Sequence, residues 1–356
     1  MGICISKASS EIHNADSEHG HENAVIFFDP QNDSTQHQSL SSVYSREGSK
    51  GLNQDSAILY QGFGVGDGAF CGVFDGHGKN GHVVSEIVRN RLPLLLLSQK
   101  DAISKLNTAL SEGVYEKLGE KTSCDDELVR SDFDQESRKW KEAIASSFKV
   151  MDKEIKLREN FDFSCSGTTA VVAIREGEDL IMANLGDSRA ILGTSTENGI
   201  KAVQLTTDLK PGLPSEADRI RSCNGRVLAL KNEPHIQRVW LPHEDAPGLA
   251  MSRAFGDFLL KDYGIIAVPD VSYRRLTPKD QFIVLATDGV WDVLSNDEVA
   301  SIVWKAKSEE VAARAVVEAA AAAWRTKFPA SKIDDCTVVC LFFQRKQQSV
   351  VPGVTT

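Results

Sequence analysis

Apolar residues in this chain gather into short unbroken runs that stop abruptly at glycine and aspartate, and longer stretches of helical spacing stand between the runs. Ala69 to Phe74 reads as a strand buried on both faces, because neither parity of position is polar. Ser56 to Tyr60, Phe282 to Ala286 and Thr337 to Phe343 read as further strands. Thr168 to Ile174, Leu180 to Leu185 and Arg189 to Leu192, joined by turns at Glu176-Gly177-Glu178 and Gly186-Asp187, predict a β-meander. Gly62, Gly64, Gly66 and Gly68 fit neither the dinucleotide nor the Walker spacing and precede no helix start, so they predict a glycine-rich hairpin. Val83, Val84, Ile87 and Val88 share one face of a helix after Gly78, and Trp140, Ile144, Phe148, Met151 and Ile155 share one face of a second. Further helices are predicted over Pro211 to Arg221, Asp297 to Trp304 and Glu309 to Trp324, with a long surface loop over Trp240 to Gly248.

Antiparallel groups of strands and paired helices, without strict strand–helix alternation, predict an α+β fold with helices on the outer faces of antiparallel sheets. Residues 8 to about 43 are rich in Ser, His, Gln and Asn, with one apolar island at Ala24 to Phe28, and predict a flexible arm. The expected organisation is an arm over 1–43, one globular domain over 44–344 and a tail over 345–356.

Composition narrows the class. Of 356 residues, 41% are hydrophobic and 25% charged, as in a soluble globular protein. A net charge of −10 argues against a nucleic-acid binder and raises a question about any phosphate substrate, which an acidic pocket repels unless metal ions invert the local sign. Seven cysteines without a Cys-x-x-Cys pair suggest free thiols in a reducing compartment, and Cys336 and Cys340 fall on the final strand pattern as core residues. No secretory signal and no membrane-spanning run is present. Met1-Gly2-Ile3-Cys4-Ile5-Ser6 fits the N-myristoylation pattern, with Gly2 as acceptor and Cys4 as the site of a second, palmitoyl anchor. The expected location is the cytoplasmic face of the plasma membrane and the cytoplasm, with the nucleus open. His13, His19 and His21 could take a metal, but in such an arm solubility is the better reading of them.

The chemistry centres on Val73-Phe74-Asp75-Gly76-His77-Gly78, a buried strand that ends in a carboxylate and an imidazole between glycines. Asp-Gly is also a common hairpin turn. The chain repeats the device at Val284 to Gly289, where Asp288 ends the run, and places Asp334-Asp335 just before the run Val338 to Phe343. Carboxylates at strand ends far apart in sequence can converge as hard oxygen ligands for Mg²⁺ or Mn²⁺.

Seven segments then carry a resemblance: Asn53-Gln54-Asp55, Phe74 to Gly78, Ser166 to Ala170, Asn184 to Arg189, Met251 to Asp257, Ala286 to Asp292 and Asp334 to Thr337. In this order they resemble the metal-dependent protein serine/threonine phosphatases of type 2C, the plant branch in particular, over about residues 45 to 343. The resemblance implies a four-layer αββα sandwich, two central antiparallel sheets flanked by helix pairs, with a binuclear Mg²⁺/Mn²⁺ centre at one end. Position by position it implies that Asp75 bridges both ions and Gly76 offers its carbonyl. Asp288 and Asp334 complete one ion's shell, and Asp55 acts near the other, largely through water. Asp187 and Asp292 match positions of a weaker third metal. Relatives read Asp-Asn-x-Thr where this chain has Asp334-Asp335-Cys336-Thr337, which favours Asp334 as the ligand. His77 is implied as general acid for the departing alkoxide. Lys50 stands where many relatives carry a phosphate-binding arginine, which gives a point charge in place of a bidentate fork and predicts weaker ground-state phosphate binding.

The implied partners are phosphorylated proteins, kinases among them, and a monomeric state is expected. The rival from another class is a pseudophosphatase that binds a partner kinase without turnover, and the carboxylates present argue against it. A two-metal phosphodiesterase or nuclease fits the metals but not the acidic balance. Some plant relatives are inhibited by hormone-bound receptors through a tryptophan near the site, and Gly225 to Leu230 carries none.

Overall fold

A strand that is apolar on both faces must be covered twice, and each buried run here divides its side chains between two layers. In strand Ala69–Phe74, Phe70 and Phe74 enter one apolar cluster while Ala69, Cys71 and Val73 enter another. In strand Asp280–Ala286, Ile283 and Leu285 enter that second cluster, and Phe282, Val284 and Ala286 enter a third. The shared cluster is the filling between two sheets. The computed structural model describes residues 23–28, 40–64, 68–115 and 125–344.

One sheet runs in the order Ala24–Phe28, Ser56–Gln61, Ala69–Phe74, Ala170–Glu176, Asp179–Leu185, Asp270–Arg275. The other runs Gly199–Gln204, Arg189–Thr196, Asp280–Ala286, Cys336–Phe342, Ser41–Arg46. Helices Gly81–Tyr115 and Asp125–Lys156 cover the first sheet, burying Val84, Val88, Trp140, Ile144 and Phe148 against Phe70, Phe74 and Val172. Helices Asn296–Lys305 and Ala312–Lys327 cover the second through Val299, Val303, Val316 and Ala320. The result is the four-layer α+β sandwich. A smaller body stands beside it, made of helix Pro214–Ser222 and strands Arg226–Leu230, Glu233–Trp240 and Pro247–Leu249, with its own core around Ile220, Val239 and Leu260. No helix among the described residues is long and apolar enough to cross a membrane.

The expected meander is corrected at its third strand. Arg189–Thr196 pairs with Gly199–Gln204 and Asp280–Ala286, not with Asp179–Leu185, so the chain changes sheets at Gly186-Asp187-Ser188. Turn chemistry marks a reversal but not which sheet receives the next strand. Gly186 makes the passage possible, with φ of 108° and its α-carbon so close to Thr169 that a β-carbon would lie 2.7 Å from Cγ2. The arm boundary at 43 is also displaced. Ala24–Phe28 is a strand that runs parallel to Ser56–Gln61, and Ser41–Arg46 already belongs to the second sheet. The loop expected over Trp240 to Gly248 is shortened, because Pro247–Leu249 pairs back onto Glu233–Trp240. Gly2, Cys4, His13, His19, His21 and the tail 345–356 lie outside the described residues.

Candidate metal centre

Strand direction gathers the acidic residues on one rim. Ser56 and Phe74 face each other across adjacent antiparallel strands, so Asp55 just before one and Asp75 just after the other are brought to the same edge. In the second sheet Ala286 faces Arg189 on one side and Val338 on the other. The ends that carry Asp187, Asp288 and Asp334 therefore share an edge as well. Asp288 opens the short helix Asp288–Trp291, and the Asp292 amide donates to the Asp288 carbonyl at 2.9 Å, which stacks Asp292 one turn away.

The backbone around these residues is held by hydroxyls. The Thr169 amide donates to the Asp75 carbonyl at 2.9 Å, and the Asp75 amide donates to Thr169 Oγ1 at 3.1 Å. Thr287 Oγ1 donates to Asp55 Oδ2 at 2.9 Å while accepting from the Thr337 amide at 3.1 Å. Asn53 Nδ2 donates to Ser45 Oγ at 2.9 Å, and Ser45 and Thr337 share a hydroxyl contact of 2.7 Å. Gly76 lies so close to the Gln54 and Gly81 carbonyls that a β-carbon would come within 2.5 Å of each. The glycine after Asp75 serves close packing, not a hairpin turn.

Electrostatics shows the crowding. Burial, and then the charge of Asp288, Asp55, Asp334 and Asp187, lifts the Asp75 carboxyl well above the usual range. Burial with Asp187, Asp334 and Asp292 does the same to Asp288, whose carboxyl is near enough to Asp75 to share a hydrogen bond. Asp55 is pushed up to about 8, by burial first and Asp335 second. Asp187 is pushed to about 6 by burial, with the Lys210 ammonium pulling the other way from 3.7 Å. Lys210 also lies 4.0 Å from Asp292, whose carboxyl burial likewise raises. Lys50 donates to Asp334 Oδ2 from an exposed loop. Asp335 is engaged elsewhere, for its two oxygens accept the Gly48 and Gln54 amides at 2.8 Å each.

A cluster of oxygen donors without thiolate or imidazole suits a hard divalent cation. The buried Asp187 Oδ1 has no hydrogen-bond partner, which adds to that fit. Among the described residues, no three acidic, histidine or cysteine side chains form a compact ligand set already. Two lysines, Lys50 beside Asp334 and Lys210 beside Asp187, offset part of the negative charge.

His77 stands to one side. Gly76–His77 pairs with Gly167–Thr168, which pairs with Phe255–Gly256, and this small sheet sets the imidazole against Asp257. His77 Nε2 lies 2.6 Å from Oδ2 of Asp257, a residue only 1% exposed. Burial acts to lower the imidazole pKa, but the Asp257 charge and hydrogen bond prevail and raise it. Sequence reasoning did not assign Asp257 to the site. It closes the segment Met251 to Asp257, and a carboxylate placed after Gly256 was the available signal.

The Protein phosphatase 2C family model matches residues 41–327. The chain is 54% identical over 355 residues to "Probable protein phosphatase 2C 72" of Arabidopsis thaliana, covering 98% of this chain and 99% of that protein. It is 51% identical over 314 residues to "Probable protein phosphatase 2C 66" of Oryza sativa subsp. japonica, covering 84% of this chain but 58% of the rice protein. Among solved structures it is similar to a serine-threonine phosphatase 2C from Toxoplasma gondii, with a TM-score of 0.70 and 27% identity over 85% of this chain and 94% of that one. The family match runs from strand Ser41–Arg46 to helix Ala312–Lys327 and takes in Asp55, Asp75, Asp187, Asp288 and Asp292, with Asp334 just beyond it, and the chain belongs to the protein phosphatase 2C family.

Proposed function

We propose that this chain is a protein serine/threonine phosphatase that hydrolyses phosphoserine and phosphothreonine by attack of water at a binuclear Mg²⁺ or Mn²⁺ centre. The observation that carries the reading is the rim itself, where buried Asp55 and half-buried Asp75 and Asp288 all have carboxyls lifted by desolvation and by neighbouring acids, as ligands of a multiply charged cation do before it binds. Asp75, Asp288 and Asp334, with the Gly76 carbonyl, are the residues that would hold the ions. Asp55 would act through water, and Asp187 with Asp292 would hold a weaker third ion. Two such ions supply Lewis acidity, a lowered water pKa and neutralisation of phosphoryl oxygens.

The chain's own residues supply the rest. Asp257 raises the His77 pKa and so favours the imidazolium, which gives its proton to the departing serine or threonine oxygen. Thr169 fixes the Asp75 backbone from both sides, so its carboxylate is aimed before any ligand arrives. Lys50 presents a flexible point charge at the mouth of the rim, suited to one phosphoryl oxygen at a time. Asp335 anchors the Lys50 loop through the Gly48 and Gln54 amides and leaves Asp334 to the rim.

The test is phosphate release from a phosphothreonine peptide and from an aryl phosphate, with Mn²⁺ or Mg²⁺ and with chelator. Cation-dependent release from both is expected. Inert protein under every condition would overturn the reading in favour of a binding protein without turnover. From the sequence pattern at Gly2 and Cys4 we also propose acyl attachment to a membrane, for which Gly2→Ala is expected to move the protein to the soluble fraction.

A further inference from the structure

Beside the histidine the surface folds into a groove whose lining includes Lys79, Asn80, Phe161, Asp162, Cys165 and Ser166. Two chain segments build it, one leaving His77 and the other arriving at Gly167. They are tied across the groove. The Asn80 amide donates to Ser166 Oγ at 3.1 Å, and Asn80 Nδ2 donates to the Asp162 carbonyl at 2.9 Å. The floor continues into the site, because the Ser166 carbonyl accepts from the Asp257 amide at 2.9 Å. A β-carbon on the next residue, Gly167, would lie 2.3 Å from Asp257 Oδ2 and 2.8 Å from His77 Nε2. The His77–Asp257 pair therefore rests on the same backbone that floors the groove.

This placement has a chemical consequence, and it rests on the phosphatase reading above. The oxygen that His77 protonates is the one joined to the substrate's polypeptide. The peptide must therefore leave the rim on the histidine side, while the phosphoryl group faces the carboxylates. Lys79, two residues after His77, is exposed there. The Asp162 carboxylate, within reach of the Lys79 charge, commits Oδ1 to the Ser164 amide at 2.9 Å. Phe161, 44% exposed, is steadied by stacking on the buried ring of Phe163 at 5.8 Å between centroids.

We propose that this groove receives the substrate polypeptide beside the phosphorylated residue, with Lys79 selecting an acidic side chain there and the Phe161 ring supporting the peptide. Lys79 and Phe161 are then specificity-determining residues, outside the phosphoryl-transfer step itself.

Two phosphothreonine peptides that differ only in glutamate or lysine next to the phosphorylated residue provide the test, with an aryl phosphate as reference. An exposed ion pair is worth little, so wild type is expected to prefer the glutamate peptide by about fivefold in kcat/KM. Lys79→Glu inverts that ratio, which loss of folding could not do, since it lowers both peptides together. Phe161→Ala raises KM for both peptides and keeps the ratio. A ratio that Lys79→Glu leaves unmoved overturns the proposal while the phosphatase reading stands. Absence of aryl phosphate turnover by wild type overturns that reading, and the groove proposal with it.

Discussion

The 2.6 Å contact between His77 Nε2 and the Asp257 carboxylate sets the pH at which the imidazole can give up its proton. Asp257→Asn removes the charge and keeps the shape. The His77 pKa is then expected to fall, and the alkaline limb of kcat on a phosphopeptide to move to lower pH. A pH–rate profile identical to wild type would exclude Asp257 as the residue that tunes the acid. His77→Ala should slow phosphopeptides by about a hundredfold or more while sparing aryl phosphates, whose leaving group needs little protonation. Equal losses on both would deny His77 that role. At the rim, removal of residues that merely support a metal ligand typically costs about 10–100-fold, so Asp75→Asn or Asp288→Asn should cost more than that in turnover. The same variants should melt at higher temperature than wild type in chelator at pH 8, because each removes a carboxyl whose ionisation desolvation and neighbouring acids oppose in the folded chain. Asp75, Asp288 and Asp334 were legible because each interrupts or adjoins an apolar run. Asp257 was not, since its partner lies 180 residues away and the one local signal, a carboxylate after Gly256, reads equally as a turn.

Glycine shows at the level of elements what the Asp-Gly pairs are for. Gly289, following Asp288, lies where a β-carbon would come 1.9 Å from the Asp335 carbonyl oxygen, so the strand entering at Cys336 passes directly over it. Gly177, in the turn between two strands, has φ of 57° and open space around it. Gly289→Ala should therefore destabilise by about 1–3 kcal/mol or more through overpacking, and shift the Asp334 loop enough to depress activity. Gly177→Ala should cost about 1 kcal/mol, from the backbone alone, and leave activity intact. Thermal melting beside a phosphatase assay separates the two. Element recognition followed the same physics of coverage. Ala69–Phe74 and Asp280–Ala286 announced themselves because both faces are buried and the run is unbroken. Gly199–Gln204 and Asp270–Arg275 escaped notice, for as edge strands they alternate exposed and half-buried positions and carry Lys201, Arg274 and Arg275. The change of sheet after Asp187 was illegible for another reason, since which sheet receives Arg189–Thr196 is decided by its partners Asp280–Ala286 and Gly199–Gln204, far along the chain or not yet recognised.

For the molecule as a whole, the layered architecture followed from strands that need covering on both faces, and the rim followed from the layering. Concentrating carboxylates at one edge has a thermodynamic signature. Burial and neighbouring acids push Asp55 up to about 8 from an ordinary 3.8, and burial pushes Asp187 to about 6. In chelator the folded chain then keeps protons that the unfolded chain has released, so stability falls as pH rises from about 4 to about 8. His77, raised above 6.5, acts in the same direction, its contribution present below that value and lost as pH rises through the folded pKa. Glu216 acts in the opposite one. Burial would raise its carboxyl, but Arg253, Arg219 and Ser252 hold it at about 2, so its contribution is complete above 4.5 and lost only in acid. The cation-free protein should therefore melt highest near pH 4 and less well at each step above it. Cation binding needs the carboxylates deprotonated, so Mn²⁺ should raise the melting temperature far more at pH 8 than at pH 5. At a hundredfold excess over Kd the gain at pH 8 should be roughly 5–10 °C. Melting curves with Mn²⁺ and with chelator across that range decide the matter. A shift equal at both pH values, or larger at pH 5, would mean that the cation binds somewhere other than among these buried acids.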